Sequence, residues 1–228
     1  MLFAASTLHA GVGFGSALVA MPLLSLLLGV ALATPVVGLA VPVTLVLVLA
    51  RHWQSLDPRA TVRLLIGSAC GIPLGVVVLR QVPTSAILSV LGCVLIAYGL
   101  WRLVRPTLPR LRWAGAGYLF GVCAGVLGGA CNINGPPVVL YGALSGWEPA
   151  RFRATLSGYF LPTALLICAA HAATGLWSTQ VFELFFLALP AIFVGNWCGL
   201  RLARRIPAAR FAYLLHWLLV MLGALMFV

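Results

Sequence analysis

Residues 131–137 read Cys-Asn-Ile-Asn-Gly-Pro-Pro, deep inside an otherwise apolar run. Pro136 and Pro137 have no backbone donor, and Gly135 permits sharp geometry, so a helix must stop there. Asn132 and Asn134 place two side-chain amides at that stop. An amide offers an uncharged donor to an anionic oxygen, and its own oxygen can equally cap the next helix. Both uses stay open from the sequence. A second break, Gly13-Phe14-Gly15-Ser16, reads as its counterpart. Bare N–H groups at the helix start after it suit an anion. The alternative is close helix packing through small residues.

Arg153 stands just before another apolar run, with Thr155 and Ser157 behind it. Its guanidinium can grip a sulfonate, sulfite or carboxylate bidentately. The competing role is an anchor whose charge snorkels to the interface and fixes orientation. The candidate binding set is therefore Gly13, Phe14, Gly15, Ser16, Asn132, Asn134, Gly135, Pro136 and Arg153. Glu183, His9, His171 and His216 are the other ionisable groups within or beside apolar runs, and any of them can carry a proton. Glu183 and His171 fall near expected outer ends of runs, where a solvated anchor is the plainer role. His216, between Leu215 and Trp217, can serve by bonding a neighbouring helix. No HExxH, GxSxG, Walker or paired-carboxylate pattern occurs, so an enzyme lacks its nucleophile or metal set, and no cofactor is expected. The cysteines Cys70, Cys93, Cys123, Cys131, Cys168 and Cys198 all lie in apolar runs without CxxC spacing, as small packing residues do.

The elements that hold these residues follow from composition. Of 228 residues, 63% are hydrophobic and 7% charged, against roughly 25% charged in an ordinary soluble domain. Such a chain cannot build a water-soluble surface. A bilayer core about 30 Å thick takes roughly 20 apolar residues per helical crossing, which allows roughly six to ten passes. Barrel strands alternate in polarity, whereas these runs are continuous, so the expected class is all-α and polytopic. The net charge of +11 sits in short loops between runs and not on a basic domain face, which excludes nucleic acid as a partner. The N-terminus lacks the positive start and cleavage site of a secretory signal and reads as part of the mature protein.

Apolar runs cover 1–50, 61–79, 84–101, 113–147, 154–174, 180–200 and 208–228. The runs 1–50 and 113–147 exceed one span, and glycine and proline break them. Interrupted helices of this kind point to a transport site. Each opens one half of the chain, and the halves repeat. GVGFGSALVAMPLL at 11–24 superimposes on GVLGGACNINGPPV at 125–138, pairing Gly15 with Gly129; GIPLGVVVLRQVP at 71–83 superimposes on GNWCGLRLARRIP at 195–207. The expected domains are 1–103, a basic linker 104–112, and 113–228. Arginine-rich short loops stay cytoplasmic. That rule puts the loops around Arg51–Arg63, Arg102–Arg112, Arg151–Arg153 and Arg201–Arg210 inside, with Arg80–Pro83 and Gly175–Gln180 outside. Because the repeat equates the Arg51 loop with the Gly175 loop, the halves are inverted. Each half reads as a broken helical hairpin plus three transmembrane helices, both termini outside; whether the hairpins cross or re-enter is open. Inverted repeats place a substrate at the midplane and favour alternating access.

VGFGSALVAMPLL at 12–24, GGACNINGPPVVLY at 128–141 and FRATL at 152–156 together resemble the TauE/SafE family of sulfite and organosulfur anion transporters, across essentially the whole chain. The resemblance implies a multi-pass carrier in the bacterial inner membrane. Its implied cargo is a small anion such as sulfite, a sulfonate or a related organic acid, with coupling to the proton gradient. It also implies importance for Gly13 to Ser16, the Gly135-Pro136 break and Arg153. Family members are often described as two four-span halves, a parallel repeat, which conflicts with the loop charges. Expected partners are the small anion and the lipid bilayer, with a homodimer left open.

Overall fold

In hydrocarbon each backbone amide must be satisfied within its own segment, and helices are the element this chain builds. A computed structural model describes residues 1–12, 16–49, 57–104, 111, 113, 115–203 and 208–227. Its helices are α1 Leu2–Val12, α2 Ser16–Leu28, α3 Val30–Leu49, α4 Pro58–Gln81, α5 Thr84–Val104, α6 Ala116–Cys131, α7 Gly135–Leu144, α8 Pro149–Ala173, α9 Thr179–Ala203 and α10 Ala208–Leu225. No strand occurs among the described residues. Among the described residues, four helical stretches are long and apolar enough to cross a bilayer: Pro58–Gln81, Thr84–Trp101, Ala154–Ala173 and Thr179–Gly199. The long run 1–50 resolves into α1, α2 and α3, and the run 113–147 into α6 and α7.

Local chemistry sets the helix ends. Asp57 caps α4, its Oδ1 accepting the Ala60 N–H at 3.2 Å, and Pro58 opens the first turn where its missing donor does no harm. Val82 is extended ahead of Pro83 and ends α4. At the end of α6, Asn132 enters the left-handed region with φ 57°, which asparagine tolerates better than most residues. Its N–H donates to Gly128 O at 2.8 Å and that of Ile133 to Leu127 O at 3.2 Å, closing the helix.

The chain after Asn132 turns back. Tyr141 of α7 stacks 5.6 Å from Phe120 of α6, and Leu111 N–H donates to Leu144 O at 2.8 Å, so both open ends of the pair lie together. The 16 residues of α6 span about 24 Å, less than the hydrocarbon thickness. The two helices form a short hairpin with Asn132 to Asn134 at its tip.

Glycines decide the largest interface, α4 on α6. A Cβ on Gly67, Gly71 or Gly75 would stand 2.2, 2.3 or 2.2 Å from the backbone oxygens of Tyr118, Val122 and Val126, so the two helices touch backbone to backbone. Next come α1 on α9 and α10 on α5, while α3 packs on α8 and α9, and α4 also on α8. His171 corrects an expectation. It lies in the last turn of α8, but it is fully buried (0% exposed) and faces α6, so it is no solvated anchor. Glu183 is exposed.

Candidate functional site

Four elements meet at a cleft with an empty volume of about 380 Å³. Ser16 and Ala17 begin α2, Val41 and Leu45 come from α3, Phe160 from α8, and the whole break Asn132 to Gly135 forms one wall. The starts of α2 and α7 both open on it, and the positive end of a helix dipole favours an anion. The lining residues carry no formal charge. A Cβ on Gly135 would meet only Phe160 Cζ, at 3.9 Å, so this glycine leaves room and not a backbone contact.

The two asparagines do different things. Asn132, 5% exposed, donates its Nδ2 to Thr34 O at 2.6 Å, and Thr34 Oγ1 donates back to Ala130 O at 3.2 Å. This pair ties the hairpin tip to α3. Asn134 occupies the N-cap position of α7 in helical geometry (φ −82°, ψ −8°), and its side chain makes no cap bond. Capping by either side chain, one of the two sequence readings, is thus not what they do. Asn134 instead lies near the Tyr159 hydroxyl. Ser68 Oγ donates to Gly121 O at 3.0 Å, so the 2.7 Å contact between Ser68 and Tyr159 is donated by the tyrosine. The chain Gly121–Ser68–Tyr159 links α6, α4 and α8 without any formal charge.

Ser16, Asn132, Asn134 and Gly135 are therefore brought together. Pro136 is buried in the first turn of α7, where it withholds a donor. Gly13, Phe14 and Gly15 lie outside the described residues, as does the side chain of Arg153. The backbone of Arg153 is in the first turns of α8, about two turns before Phe160. Sequence reasoning passed over Tyr159, Ser68, Thr34 and Phe160. The signal for Tyr159 was available, since a phenol inside an apolar run must find a partner.

A polar latch lies at the start of α8. Arg151 of α8 pairs with Asp57 ahead of α4, and Asp57 N–H donates to Thr155 Oγ1 at 3.1 Å. Partial burial pushes the Asp57 carboxyl up, but the Arg151 bond, the Ala60 N–H and the guanidinium charge outweigh it and hold the group below its ordinary value. Among the described residues the cysteines are free, and no cluster of His, Cys, Asp and Glu could hold a metal.

Several apolar helices long enough to cross a bilayer define a polytopic α-helical membrane protein. A family model described as Sulfite exporter TauE/SafE matches residues 1–226, so the chain belongs to that family, whose members are transporters and not enzymes. It is 28% identical over 200 residues to a protein of Cupriavidus necator named "Probable sulfite/organosulfonate exporter TauE", covering 83% of this chain and 76% of the relative. No solved structure matches it.

Proposed function

We propose that this chain is a secondary transporter carrying a small sulfur oxyanion, sulfite or an organosulfonate, or a related organic acid, across the bacterial inner membrane. It works by alternating access with the proton gradient as its energy source. The observation that carries the reading is the uncharged cleft between the two breaks, where Ser16 and Asn132 to Gly135 meet at two helix starts. Neutral amides and helix N-termini attract an anion yet let it go, which a carrier requires. A buried cation would cost at least about 2.5 kcal/mol at the midplane and would hold the anion harder. Arg153 and the basic loops gather anions at the cytoplasmic mouth. The name of the Cupriavidus relative supports the substrate class.

The two-half organisation, 1–103 and 113–228 joined by 104–112, belongs to the same proposal. Exchanging the halves turns α4 on α6 into α9 on α1, and leaves α5 on α10 and α3 on α8 unchanged. All of these interfaces occur, which supports a two-fold relation. The helix starts pair Ser16 with Gly135, whereas the glycine-based superposition pairs Ser16 with Ala130, so the repeat register is better read from the breaks.

The test is flux of labelled sulfite and methanesulfonate in proteoliposomes, with and without a pH gradient. A carrier saturates and shows counterflow. Linear flux without counterflow would replace the carrier with a channel, and absence of flux for every anion tried would remove the transport reading.

A further inference from the structure

The interior holds a titratable group that the anion site does not use. His171 is fully buried, and its Nε2 lies 3.1 Å from Gly129 O, in the last turn of α6. A carbonyl can only accept, so Nε2 carries the hydrogen and Nδ1 of the neutral ring is a bare lone pair. That Nδ1 is buried without a hydrogen-bond partner. It is aimed at the hairpin tip. The point where a side chain on Gly38 would begin is 3.1 Å from His171 Nδ1 and 3.4 Å from Asn132 Oδ1, so the two polar atoms converge on the gap that glycine leaves. The Asn132 amide is oriented by its Nδ2 bond to Thr34 O, which leaves Oδ1 as the acceptor on this side. On its other side Asn132 lines the anion cleft.

We infer that His171 is the proton-binding site of the transport cycle, linked to the anion cleft through Asn132. The inference rests on the carrier reading and names the group that takes its proton. A proton from water forms a new Nδ1–H bond on the ring, which becomes a cation and gains a donor facing Asn132 Oδ1. The positive charge then stands behind the wall of an otherwise neutral cleft and strengthens anion binding. By linkage, a bound anion raises the proton affinity of His171 by the same factor.

Among the described residues, the surroundings offer no competing charge. Helices α3 and α6 carry no charged residue. Cys168 donates its Sγ to Gly38 O at 3.0 Å, and Cys131 is buried at the end of α6. Tyr118 and Cys123 of α6 and Cys70 of α4 are exposed. Arg151 and Arg153 lie at the opposite end of α8, and on α4 Arg59 and Arg63 lie near its start and Arg80 in its last turn, exposed. Tyr159 is three turns away along α8 and Tyr141 is at the far end of α7. Glu183 and Arg201 of α9 are exposed.

The probe is methanesulfonate, which stays ionised throughout the range in which histidine titrates. Equilibrium binding to the purified full chain is measured from about pH 8 to about pH 5.5. Binding should tighten about tenfold toward acid pH in the wild type. In His171→Gln, whose amide can still donate to Gly129 O, binding should persist without pH dependence. The same pH dependence in His171→Gln overturns the proposal. A second readout needs no substrate: ¹⁵N NMR of the histidine rings in lipid nanodiscs, with the His171 signal assigned by its loss in the variant. Protonation of Nδ1 within that range is expected, and a ring that stays neutral throughout overturns the proposal even if transport is normal. A wild type that binds no methanesulfonate contradicts the carrier reading, while the ring titration still decides the role of His171.

Discussion

At the hairpin tip the amide of Asn132 is committed to Thr34 O, while the amide of Asn134 lies beside a tyrosine hydroxyl at the cleft. Their truncation should therefore separate. Asn132→Ala removes the buried bond that ties the hairpin tip to α3, worth about 0.5–1.5 kcal/mol, and should lower the melting temperature of the purified protein. Asn134→Ala should leave that temperature unchanged and raise the apparent binding constant for methanesulfonate about tenfold or more, independently of salt. Arg153→Gln should instead slow anion entry, with a loss that shrinks as added salt screens the charge. Equal effects of the two asparagine changes on stability would merge their roles. The sequence displayed both amides because proline and glycine mark the break, but it could not divide their work. That division depends on Thr34 and Tyr159, which lie on other helices and are silent in any local pattern.

Helix-level organisation depends on glycine in a way the repeat alignment used without explaining. Gly67, Gly71 and Gly75 on α4 face Gly121, Gly125 and Gly129 on α6, a spacing of four that brings backbones into contact. Gly71→Ala puts a methyl 2.3 Å from Val122 O, a backbone atom that cannot rotate away. The helices must part, at a cost of about 1–3 kcal/mol, and a fall in melting temperature and in folded yield should follow. Gly135→Ala, with nothing closer than 3.9 Å, should be tolerated. The latch at the start of α4 adds a pH signature. The folded-state value of Asp57 is lowered, so its stabilising contribution is present above the ordinary carboxylate range and is lost as pH falls through the lowered value. The gap in melting temperature between wild type and Asp57→Asn should close on acidification. Existence of these helices was legible from the apolar runs. Their partners were not, because the glycine ladder was read as a repeat and not as a surface.

Over the whole molecule, composition alone fixed the membrane class, and the broken runs marked where the cleft would be. What composition could not supply was the turn at Asn132, a single left-handed residue that sends α7 back along α6. Arg201 stacks 3.7 Å over Trp197 in the last turns of α9, the kind of cationic and aromatic pair that anchors a helix at the interface. The inverted arrangement predicts that single cysteines at Arg110 and at Ser178, in a chain whose own cysteines are replaced, label from opposite faces of the membrane; labelling from one face would end it. The central claim is that the anion sits in the neutral cleft between the breaks. It is tested most directly by equilibrium binding of labelled methanesulfonate to the purified wild type, Gly135→Ala and Gly135→Leu. Because Gly135 opens on the cleft and not on backbone, the alanine variant should bind close to wild type, while the leucine side chain fills the space and should abolish binding with the melting temperature preserved. Normal binding by a folded Gly135→Leu protein would place the anion elsewhere.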